Sequence, residues 1–126
     1  MLPAQYKLQQ ECETNKNGFR VYEEDDVEYY TIAMGTYYSE KVGDKFKVTL
    51  KDGEDKKVIY CMIGGIKMDI HTNKTNQYVP MNENIIEFIV NKYKLDSMCR
   101  KMGDVSYTED GSLKGKIIKI EQIVEN

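Results

Sequence analysis

The chain has 126 residues, which suits one globular domain and leaves no room for a second full core. Its net charge of −3, with 40% hydrophobic and 31% charged residues, gives no bulk attraction to a phosphate backbone or an anionic bilayer. No apolar stretch approaches the roughly 20 residues of a membrane span, so neither nucleic acid nor membrane is an expected partner.

The start, Met1-Leu2-Pro3-Ala4-Gln5-Tyr6-Lys7, lacks the charged-then-apolar order of a signal peptide. The expectation is a chain made in the cytoplasm that, if it acts outside, gets there through a particle, through lysis or as part of a larger parent protein. Residues 1–26 are polar, carry scattered anchors at Leu2, Leu8, Phe19, Val21 and Tyr22, and end in Glu23-Glu24-Asp25-Asp26. They read as an N-terminal arm laid against a β domain over residues 27–126. The acidic run lacks the alternating ligands and turn glycine of a calcium loop and reads as a solvated face.

From Val27 onward, short β-branched and aromatic runs alternate with turn residues, the pattern of an all-β domain. Strands are predicted at Glu28 to Met34, Lys45 to Leu50, Lys57 to Ile63, Ile85 to Val90 and Lys116 to Val124. Asp52-Gly53 predicts a tight hairpin between the second and third. In the second strand Phe46, Val48 and Leu50 alternate with Lys45, Lys47, Thr49 and Lys51, so one face is buried and the other wet. The runs Val58 to Ile63 and Ile85 to Val90 are nearly continuous and predict strands covered on both sides. Glu87 interrupts the second run, and a lone carboxylate there needs a cleft or a cationic partner. Lys92 to Lys101 predicts one short helix.

Cys12, Cys61 and Cys99 are odd in number with no close pair, and read as free thiols. His71 is the only histidine, and its spacing from Asp69 resembles no zinc motif, so no metal site is expected. No phosphate loop, dinucleotide fingerprint or nucleophile signature appears, and no cofactor is expected.

The densest gathering of chemistry is Gly64-Gly65-Ile66-Lys67-Met68-Asp69-Ile70-His71-Thr72-Asn73. Paired glycines at a strand end allow close approach of a ligand or another backbone, and Asp69 and His71 share a face if the chain stays extended. The bland alternative is a bulge at the glycines, a surface ion pair at Lys67 and an Asx turn at Asp69. The tyrosine pairs Tyr29-Tyr30 and Tyr37-Tyr38 offer rings for sugar stacking or for ordinary sheet packing.

The order Tyr30 to Tyr38, Val42 to Leu50 with Asp52-Gly53, Gly64 to Asn73, then Asn84 to Val90 resembles the double-psi β-barrel group. That group includes the 3D domain, lytic transglycosylases related to rare lipoprotein A, and expansins. More narrowly, the chain is similar to small barrels of prophages and phage-like elements in Gram-positive bacteria, and the resemblance covers roughly Tyr29 to Val124. It implies a six-stranded barrel whose groove acts on or binds peptidoglycan or another polysaccharide. The aspartate that ends the third barrel segment in the lytic enzymes falls at Gly65, and their upstream histidine near Tyr37 or Tyr38.

A second acidic position of those families falls at Glu87. The resemblance makes Glu87 a general acid and Asp69 its ionised partner in cleaving a glycan strand, with Gly64, Gly65, Lys67, His71, Tyr37 and Tyr38 as substrate contacts. The alternative is a non-catalytic structural or wall-binding module, partnered by proteins of a phage tail or phage-like particle. In that case Glu87 is a structural acid paired with a lysine.

Overall fold

The computed structural model describes residues 3–35, 41–67, 86–91, 93–102 and 107–124. Two helices, α1 (Pro3–Gln10) and α2 (Ser97–Met102), accompany seven strands. The strands are β1 (Glu13–Thr14), β2 (Arg20–Glu24), β3 (Val27–Gly35), β4 (Lys45–Asp52), β5 (Asp55–Lys67), β6 (Ile86–Phe88) and β7 (Lys116–Ile123). None of the described helices is long and apolar enough to cross a membrane.

The strands form one mixed sheet in the order β1-β2-β3-β5-β4-β7, with β6 pairing to β3. Only β3 and β5 run parallel; every other neighbour is antiparallel. The domain is thus mostly β as expected, but the described sheet is open: no ladder joins the end strands β1 and β7.

Strand β4 follows its alternation from Phe46 onward, but Lys45, expected on the wet face, is buried against Glu24 and the Tyr29 ring. Phe46, Val48 and Leu50 are buried in the core with Ile59, Cys61 and Ile63 of β5, while Lys47, Thr49 and Lys51 sit on the other, outer face. The β4–β5 hairpin turns at Gly53-Glu54, between the paired Asp52 and Asp55. Only Gly53 has positive φ, at 63°, as a turn of the II′ type requires of its first central residue. At the β2–β3 turn the acidic run does the same work without glycine: Asp25 and Asp26 both take positive φ, 52° and 66°, which aspartate tolerates better than most residues.

The N-terminal arm is drawn into the sheet. Val21 pairs with Tyr30 and Glu24 with Val27, so residue 26 lies inside a hairpin. The Arg20 guanidinium donates to the Gln9 carbonyl at 2.6 Å, the Cys12 carbonyl at 3.2 Å, the Gln9 side chain at 3.2 Å and Thr14 Oγ1 at 2.9 Å. A cation at the C-terminal end of α1 meets a last-turn carbonyl and the negative end of the helix dipole. Gln9 in turn donates to the buried Thr31 hydroxyl at 3.3 Å, which donates to the Arg20 carbonyl at 2.8 Å.

This helix explains where the apolar run of β5 departs from expectation. Cys61, Met62 and Ile63 are covered on both faces, but Val58 and Tyr60 are 42% and 37% exposed, because the contacts of α1 lie at Thr31 and Gly64, toward the other end of the strand.

A trio of rings packs at the margin of the core, around the fully buried Phe19. Phe19, Tyr30 and Phe88 meet edge-to-face in all three pairings, with centroids 5.7–5.8 Å apart. They meet where two chains leave the edge of β3 together: Ile89 N–H donates to the Thr31 carbonyl, Arg20 N–H to Ile89, and Asn91 N–H to Gly18. Cys12, Cys61 and Cys99 are buried, and none is in a disulfide.

Candidate functional site

One concavity lined by described residues, both polar and apolar, lies beside the β4–β5 turn. It is a groove of about 960 Å³ between that turn, α2, residues 107–115 and the start of β7. Met98, Tyr107 and Ile118 give it apolar surface, and Asp52, Glu109, Asp110, Lys51, Lys114 and Lys116 give it charge.

Its walls are held by a few specific bonds. Asp96 caps α2 by accepting from Met98 N–H at 2.9 Å, and its other oxygen accepts from Glu109 N–H at 3.0 Å, so one carboxylate ties the helix to the loop. Asp110 accepts from the Asn17 amide at 2.9 Å and from Ser112 N–H at 2.9 Å, with Lys16 3.5 Å away. The Asn17 amide first, then Ser112 and Lys16, hold this carboxyl well below the usual range, so it stays ionised. Lys57 reaches the Gly111 carbonyl. Gly115, at φ 121°, brings the loop back against β4, where a Cβ would stand 2.8 Å from the Lys51 carbonyl oxygen.

Thr108 is the unusual member. It lines the groove, is only 5% exposed, and its hydroxyl has no hydrogen-bond partner among the described residues. A buried, unsatisfied hydroxyl costs about 1–3 kcal/mol. The oxygen is closed to solvent, so a ligand that recovers this cost has to draw the hydroxyl to the surface of the groove. No short sequence motif announces this; Tyr107 to Gly111 reads as an ordinary polar turn.

The residues singled out from sequence fall elsewhere. Gly64 is a bulge residue: Ile32 pairs with Ile63 and Ala33 with Gly65, leaving Gly64 between ladder partners. The close approach it allows is to α1 and Ile89, since a Cβ there would meet Ile89 Cδ1 at 3.0 Å, Thr31 Cβ at 3.1 Å and Gln9 Nε2 at 3.3 Å. Gly65 has room, its nearest contacts being 3.8 Å and 3.9 Å from an added Cβ. Lys67 ends β5 opposite Gly35. The backbone of Glu87 lies in β6 opposite Ala33, which also pairs with Gly65. Tyr37, Tyr38, Asp69 and His71 lie outside the described residues.

No known protein family matches the chain, and no curated protein or solved structure is similar to it.

Proposed function

We propose that this chain is a wall-directed β domain that binds a polysaccharide, the glycan strand of Gram-positive peptidoglycan in the first place, in the groove beside Thr108. The double-psi relationship belongs to this proposal, and so does its setting as a module of a phage tail or phage-like particle. The observation that carries the reading is a groove that presents the exposed Tyr107 ring beside Thr108, whose buried hydroxyl has no partner among the described residues. A pyranose has an apolar face for an aromatic ring and many hydroxyls that both donate and accept. The ionised Asp110 and the neighbouring Glu109 offer further acceptors. The same ionisation speaks against Asp110 as a proton donor.

The test is sedimentation of the purified chain with peptidoglycan, with Tyr107→Ala alongside. Binding weakened by the substitution supports the reading, and a chain that stays in the supernatant refutes it.

A second reading, cleavage of the strand by Glu87 and Asp69, draws on one register relationship. Gly65, where the lytic families carry an aspartate, and Glu87 flank Ala33 on either side, which sets their backbones about 10 Å apart at the usual strand spacing. Mass spectrometry of soluble fragments tests it: anhydro-sugar or reducing-end products that vanish in Glu87→Gln support cleavage, and equal products in both exclude Glu87.

A further inference from the structure

The register of the sheet puts lysines side by side. Lys51 of β4 is the Cα partner of Lys56 on β5 and of Lys116 on β7, so three lysines form one row across three strands. All three are exposed, and none makes an ion pair among the described residues. Lys51 follows the buried Leu50, so the row is on the outer face. The same face continues through the row Val58–Thr49–Lys119 to the row Tyr60–Lys47–Glu121. Lys119 has Glu121 at 3.6 Å, and Lys45, one row further, meets Glu24.

Like charges directly opposite on neighbouring strands destabilise a sheet by a few tenths to about 1 kcal/mol per pair. A chain of net charge −3 that nonetheless gathers lysines on one face has a charge asymmetry that folding does not need. An anion placed over the row removes the repulsion. The row is also continuous with the groove, since Lys51 and Lys116 line both.

We propose that this outer face docks a linear phosphodiester polyanion of the cell wall, running beside the glycan held in the groove; the location, though not the charge chemistry, rests on the wall-directed reading above. A polymer fits better than a single phosphate because lysines recur along the face as well as across it. Lysine ammoniums are point charges that hold phosphates without fixing their orientation, as a flexible chain requires. Nucleic acid fits less well. Single-strand binders stack successive bases on a series of aromatic rings, whereas here Tyr60 is the exposed ring on the face and its partner ring Tyr29, 6.0 Å away at 77°, is buried.

The test compares native Gram-positive walls with the same walls stripped of phosphodiester polymers by hydrofluoric acid, using the full chain and the double variant Lys47→Gln, Lys56→Gln. Neither substituted residue lines the groove. The expected result is roughly fivefold weaker binding of the variant to native walls at moderate salt, with a shallower salt dependence, as two fewer phosphate contacts imply. Stripped walls should bind both proteins equally. Equal binding of both proteins to native walls overturns the proposal, as does wild-type binding that stripping leaves unchanged. Tighter binding to a thymidine oligonucleotide than to native walls overturns it in favour of nucleic acid. Failure of the glycan reading looks different: the wild-type chain then binds native walls and not stripped ones.

Discussion

Lys51 and Lys116 face each other across β4 and β7, on a face where no ion pair of either is present among the described residues. Cross-strand pairs of opposite charge contribute about 0.2–1 kcal/mol, and like pairs cost a similar amount. Lys116→Glu should therefore stabilise the fold, raising Tm by a few degrees in thermal unfolding followed by circular dichroism. The same variant should bind native walls less well. A Tm that falls would show that the row is not a site of repulsion.

Arg20 joins the end of α1 to the sheet through four hydrogen bonds. Arg20→Met keeps much of the side-chain bulk and leaves the carbonyls of Gln9 and Cys12 without this donor. The expected loss is about 2–3 kcal/mol, from hydrogen bonds to a charged group. Hydrogen exchange should show the amides of residues 3–10 losing protection first, since the helix is short and has little stability of its own. Unchanged exchange there would mean that α1 is held by other contacts.

The adjacent glycines should respond differently. Gly64→Ala forces a methyl against Thr31, Gln9 and Ile89 at 3.0–3.3 Å and should cost about 1–3 kcal/mol. Gly65→Ala meets only ordinary contacts and should lie within about 1 kcal/mol of the parent. Chemical denaturation of the two variants checks this, and equal destabilisation would contradict the close approach of α1 and Ile89 at Gly64.

How far the sequence could be read follows from which forces are local. Strand β4 was legible because one hydrophobic face is encoded every second residue from Phe46 on; its turn lies one residue beyond the expected Asp52-Gly53, at Gly53-Glu54. The five predicted strands and the short helix all have counterparts. The strands of the arm, β1 and β2, were not seen: β2 carries only Val21 as a fully buried residue, and its place depends on the Asp25-Asp26 turn and the long-range bonds of Arg20. The run Val58 to Ile63 is doubly covered only in part, since Val58 and Tyr60 lie away from the end of β5 that α1 touches. The groove was overlooked because it is assembled from residues 52–53, 98 and 107–118, and Thr108 becomes unusual only once it is buried without a partner. The lysine row was equally hidden, because Lys51, Lys56 and Lys116 become neighbours only through register.

Cys61 is fully buried, and burial pushes its thiol up to about 12. A folded value above the unfolded value of about 8.5 means that the neutral thiol favours the native state. That contribution is complete below about pH 8.5 and is lost as pH rises toward 12. Stability should therefore decline across this window, and the decline should be smaller in Cys61→Val. Alkylation of native protein at pH 8 should leave Cys61 unmodified, and rapid labelling there would contradict its burial.

The most direct measurement concerns Thr108→Val, which keeps the side-chain shape and removes the hydroxyl. If that hydroxyl is held without a partner for a glycan, the substitution should move stability and binding in opposite directions. Unfolding should show a variant as stable as the parent or up to about 1 kcal/mol more so, since a buried unsatisfied group is gone. Sedimentation with acid-stripped peptidoglycan should show binding weaker by roughly five- to tenfold, the equivalent of one hydrogen bond. Equal binding of variant and parent to the stripped wall, or none by the parent, would contradict the account.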